Sequence, residues 1–113
     1  MIEVHIGRDN ITAYDLEYMP KGETSFVPVP DNTITRAVIR FGPFCLDTNV
    51  AGHADIFYLS NNNKTIEMRL GRVTDLRIGT YYAYLTIYDA NHPNGIPWAN
   101  FRIRVRLWPV CCG

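Results

Sequence analysis

A chain of 113 residues with 47% hydrophobic and 12% aromatic content can bury one core and is too apolar to be disordered. Its 11 basic and 11 acidic residues give a formal charge of zero, which removes the general reason to expect nucleic acid as a partner. No apolar run approaches the ~20 residues of a membrane span, and MIEVHIGRDN lacks the basic-then-apolar order of a signal peptide. The expectation is one soluble domain over residues 1–113, made in a cytoplasm, with a short apolar C-terminal tail at 108–113.

The chain reads as short segments of period two, the mark of half-buried strands. Ile2, Val4 and Ile6 alternate with Glu3 and His5, and GRDN then supplies a turn. Thr12, Tyr14, Leu16 and Tyr18 alternate with Ala13, Asp15 and Glu17, so the two runs together suggest an opening hairpin. Residues 19–32 hold three prolines and a glycine and read as loop or extended edge. The run 33–41 puts Thr35, Ala37, Ile39 and Phe41 on one side and Arg36, Val38 and Arg40 on the other. GPFCLDTNVAG reads as irregular. ADIFYLS is a short strand, Ser60 to Asn63 a turn, and Thr65–Leu70 another strand. Arg72–Arg77 has room for a single helical turn.

The last third carries the clearest pattern. Tyr81, Ala83, Leu85 and Ile87 fall on one side of a strand, and Phe101, Ile103, Val105 and Leu107 on one side of the next. Between them DANHPNGIPWA is rich in breakers and reads as a hairpin loop. Seven such segments, with no convincing helical period, predict an all-β antiparallel sandwich of about seven strands. Leu76, Gly79, Tyr81 and Ala83 resemble the tyrosine corner of immunoglobulin-like domains, with Ala83 where the cysteine would stand. That makes Gly79 and Tyr81 structural, with the Tyr81 hydroxyl bonded to backbone near 75–78. A jelly roll is the rival arrangement.

Nothing in the sequence organises catalysis. His5, His53 and His92 are scattered, there is no GxSxG, and no glycine-rich phosphate loop is present. Asp47, Asp55, Asp75 and Asp89 sit at turns or strand ends, where aspartate bonds local backbone. Cys45 reads as a small apolar filler, and Cys111 and Cys112 are adjacent, with no CxxC. Reduced thiols are expected, an intermolecular disulfide through the tail being the alternative. No catalytic, cofactor or metal residue is assigned, and no enzyme is expected.

What remains points to binding. Arg102, Arg104 and Arg106 share one strand face, opposite the apolar row. With Tyr82 and Tyr84 on the neighbouring strand, and Arg36 and Arg40 if theirs joins the same sheet, they form a patch. The residue types are those enriched at interface hot spots, although an ordinary solvated sheet face would look the same. The arginine stripe also suits nucleic acid, but neutrality and the missing RNP, KH or OB signatures argue against that. Trp98, in the presumed loop, is either tucked onto the sandwich end or exposed for a partner. Trp108 opens an apolar tail that either closes the sandwich end or docks on a neighbour.

The segment GTYYAYLTIYDANHPNGIPWANFRIRVR is similar to small virion proteins of tailed bacteriophages: a G-x-Y-x-x-x-L-x-I-Y-D strand, a loop with Pro, Gly and Trp, then an alternating strand. The resemblance covers about the last 40 residues. It implies a non-enzymatic β-sandwich subunit of the virion. In its specific form this is a capsid decoration or cement protein binding across major capsid subunits, with homo-oligomeric contacts and neither nucleic acid nor membrane as partner. A tail or baseplate component and a host-glycan-binding module using Trp98 and Tyr88 are the alternatives.

Overall fold

The computed structural model describes residues 1–107, which are all-β, with 56% of the described residues in strands. Ten strands follow in order: β1 (Ile2–His5), β2 (Ile11–Asp15), β3 (Glu17–Tyr18), β4 (Val27–Pro28), β5 (Ile34–Phe41), β6 (Phe44–Asp47), β7 (Phe57–Ser60), β8 (Thr65–Arg69), β9 (Gly79–Asp89) and β10 (His92–Arg106). Single 3₁₀ turns occur at Ala51–His53 and Leu70–Arg72, the latter just ahead of the stretch expected to hold one.

A curled, mixed five-stranded sheet has the neighbour order β1-β10-β9-β5-β6. A three-stranded sheet, β2-β8-β7, supplies further core residues, and β3 and β4 form a separate two-stranded ribbon. All pairings are antiparallel except β1 with β10, which run parallel from Ile2 opposite Ile103 to His5 opposite Arg106. The expected opening hairpin is therefore not formed. β1 and β2 leave GRDN into different sheets, β1 to the edge beside β10 and β2 to β8.

Period two explains the core. Val4, Ala37, Ile39, Phe41, Ala83, Leu85, Ile87, Ile103 and Val105 line the inner face of the large sheet, and Phe57, Ile66 and Met68 that of the small one. Leu16, between β2 and β3, is fully buried with them. The rings of Tyr14 and Phe101 stack across the two sheets with centroids 6.4 Å apart. Thr35 leaves the expected inward row because the β5–β9 register shifts between Ile34 and Arg36, which buries Ile34 instead.

Two stretches expected to be irregular are strand. Phe44–Asp47 pairs with β5, which places Cys45 on the exposed surface rather than in the core. His92–Trp98 is not a loop: the β9–β10 turn is only Ala90–Asn91, and β10 continues through both prolines. Register shifts between His92 and Ile96 and between Pro97 and Ala99 absorb the two residues that lack an N–H. Gly95 makes this possible. Its φ is +88°, and an added Cβ would lie 2.6 Å from the Thr86 methyl carbon. Between β7 and β8, Asn61, Asn62 and Asn63 all take left-handed backbone angles, which asparagine tolerates better than most residues.

Candidate interaction face

The outward face of the five-stranded sheet assembles residues far apart in sequence. β9 is its spine: Ala83, Leu85 and Ile87 point inward, so Tyr82, Tyr84, Thr86 and Tyr88 point outward. The registers set arginines beside them. Arg102 lies opposite Tyr82 and Arg104 opposite Thr80 from β10, while Arg40 lies opposite Tyr84 and Arg36 opposite Tyr88 from β5. β1 adds Glu3 beside Arg104 and His5 beside Arg106, and β6 adds Cys45 beside Arg40.

Tyr82 and Tyr84 are 62% and 57% exposed, unusually high for aromatic residues in the middle of a sheet. The Arg102 guanidinium sits 5.7 Å from the Tyr82 ring centroid and that of Arg36 4.7 Å from Tyr88. On the β9–β10 side of the face a shallow depression of about 480 Å³ is lined by Tyr82, Tyr84, Asn100, Phe101 and Arg102.

The arginines divide into two sets. Arg36 donates from both Nε and Nη2 to the Asp47 carboxylate, and Arg106 reaches Glu3 at 3.4 Å. The Arg36 hydrogen bonds hold the Asp47 carboxyl below the usual carboxylate range, helped by the Asn49 backbone N–H. Among the described residues no carboxylate lies within ion-pair distance of Arg40, Arg102 or Arg104. The face therefore carries three uncompensated cations around two exposed phenol rings.

The other residues singled out from sequence behave differently. Tyr81 is half-buried, with its hydroxyl donating to the Arg77 carbonyl at 2.9 Å and its ring edge-on to Phe41. Gly79 opens β9 opposite Val105. Trp98 is half-buried against the core and reaches the border of the arginine face, where it lines a shallow depression with Tyr84, Thr86 and Asn100. One side of it lines an apolar pocket with Tyr18, not with Tyr88. Trp108 lies outside the described residues. Sequence reading missed Asp47 and Glu3 as the groups that neutralise part of the face. Both reach it through pairings between distant strands, which no local pattern announces.

Among the described residues no three His, Cys, Asp or Glu side chains converge as metal ligands. The three histidines make isolated contacts: His5 with Asn10, His53 accepting from the Asp47 N–H, and His92 with Asp89 at 2.8 Å. No helix among the described residues is long and apolar enough to cross a membrane. The chain matches no family model, no curated protein and no solved structure.

Proposed function

We propose that this chain is a non-enzymatic, immunoglobulin-like structural subunit of a tailed-phage virion. It binds the particle through the outward face of its five-stranded sheet, in the manner of a capsid decoration protein. The immunoglobulin-like reading is supported by strand order. β10-β9-β5-β6 has the neighbour order G-F-C-C′ of variable-type domains, and β2-β8-β7 has the order B-E-D. The tyrosine bonded back to the Arg77 carbonyl at the entry to β9 is a second support.

The observation that carries the binding role is the company kept by Arg40, Arg102 and Arg104. A solvated sheet face ordinarily mixes signs, and a partner surface rich in carboxylates would supply the missing one. Tyr82 and Tyr84 would add rigid contact area at small entropic cost, with a neighbouring depression to seat an incoming side chain. On a shell, binding across neighbouring subunits stabilises whichever assembly state is bound, by mass action. The partner is then the major capsid protein or another virion protein.

Cryo-electron microscopy of purified virions tests this. The expected result is repeated density for this fold on the shell, with the β9 and β10 outer surface against the capsid. Absence of the protein from purified particles would refute the proposal.

A further inference from the structure

The two ends of β10 are unlike, and together they suggest how copies of the chain meet. At the hairpin end an apolar pocket of about 270 Å³ opens between the β3–β4 ribbon and the start of β10. Tyr18, Ile34, Ile96 and Trp98 form its walls, with Thr33 at its edge. It falls just under the ~300–1,000 Å³ typical of sites for drug-sized ligands, so it suits one bulky side chain rather than an extended ligand. Its two strongest polar groups, Asp89 and His92, are already bonded to each other. A sugar ring, which needs several free polar partners, fits this chemistry poorly. The same ribbon leaves Met19 and Phe26 exposed, the latter by 63%.

At the opposite end β10 runs out at Arg106, where Ile78 and Leu107 are both more than 60% exposed. The sequence continues as Trp108-Pro109-Val110, an uncharged segment with one large ring. We infer that the hairpin-end pocket of one copy receives Trp108 of a second copy. Within a single copy the contact is out of reach. At about 3.3 Å per residue, Trp98 and Leu107 are separated by roughly 30 Å of strand. A side chain one residue beyond Leu107 cannot return over that distance.

Because donor and acceptor are different surfaces, the contact is heterologous, and repeated copies close a ring or extend a filament. It uses neither the arginines nor Tyr82 and Tyr84, so it can coexist with docking through the sheet face. It also stands if that docking proposal fails.

The test is complementation, followed by sedimentation velocity in reducing buffer. Truncation after Leu107 keeps the pocket and removes the donor. Tyr18→Glu keeps the donor and places a charge in the pocket wall, and Thr33→Arg serves as a second blocking variant should Tyr18→Glu not fold. The full chain is expected to show an average mass that rises with concentration. Truncated and pocket-blocked chains should each remain monomeric, and their equimolar mixture should form a dimer and grow no further. A full chain that stays monomeric at every concentration would overturn the inference. So would a folded pocket-blocked variant that associates like the wild type, since that contact would run tail to tail.

Discussion

The outer faces of the two sheets are built from the same strand geometry and finish with different surfaces. On the three-stranded sheet Asp15, Glu67 and Arg69 mix signs: Arg69 lies 5.6 Å from the Tyr58 ring centroid, and the Thr65 hydroxyl donates to Asp15. On the five-stranded sheet Asp47 and Glu3 answer only Arg36 and Arg106, and among the described residues Arg40, Arg102 and Arg104 have no ion-pair partner. Charges of both signs on one face are what water alone requires. Uncompensated charge of one sign around exposed rings contributes little to folding and much to encounter with an oppositely charged surface.

If the outward rows serve contact and the inward rows stability, the largest effect comes from crossing that line within β10. Ile103→Ala removes a fully buried side chain and should cost about 2–5 kcal/mol in urea unfolding. Arg104→Gln, its outward neighbour, should stay within about 0.5 kcal/mol. Similar losses at both positions would erase the distinction between the faces.

This division was legible in the sequence wherever alternation was unbroken. Tyr81 to Asp89 and Phe101 to Arg106 display it directly, because a period of two needs no knowledge of neighbouring strands. It failed where a tertiary pairing overrode local punctuation. The prolines at 93 and 97 read as loop, yet β9 supplies a partner and two register shifts accommodate them. Phe44–Asp47 is too short and too close to Gly42 and Pro43 to announce a strand. The parallel placement of β1 beside β10 joins residues about a hundred positions apart, so Glu3 could not be foreseen as the partner of Arg106. Trp98 was recognisable as unusual, but Tyr18, its companion in the pocket, was not.

A smaller effect separates Tyr81 from Tyr82, adjacent residues on opposite faces. Tyr81→Phe should cost about 0.5–1.5 kcal/mol, the net worth of the hydrogen bond to the Arg77 carbonyl. Tyr82→Phe should be nearly silent in the same unfolding experiment, since none of its hydroxyl contacts holds the fold. Equal losses would mean that the corner bond does not pin the entry to β9.

Acid should weaken the edge of the large sheet through Asp47. Its folded-state pKa is depressed, chiefly by the Arg36 hydrogen bonds, so its contribution is complete above the unfolded value of about 4. That contribution is lost as pH falls through the lower folded value. Thermal melts from neutral pH downward should therefore show an acid-side decline that is shallower in Asp47→Asn than in the wild type. The same slope in both would show that the ion pair contributes nothing to folding.

The smallest effect on folding should come from the arginines proposed to make the contact. Arg40, Arg102 and Arg104 replaced together by Gln should leave the melting midpoint nearly unchanged. Binding of the wild type to its particle should weaken as salt rises, and that of the triple variant should be weak at every salt concentration. A triple variant that binds like the wild type across the series would mark the arginines as merely solvated.

The proposed docking requires that the β9–β10 outer face be covered in the assembled particle while the outer face of the three-stranded sheet stays open. Hydroxyl-radical footprinting of the free protein and of intact particles reads both faces in one experiment. The account predicts strong protection of Tyr82 and Tyr84 on the particle, with Tyr58 labelled as in the free protein. Unchanged labelling of Tyr82 and Tyr84, or protection confined to Tyr58, would contradict it.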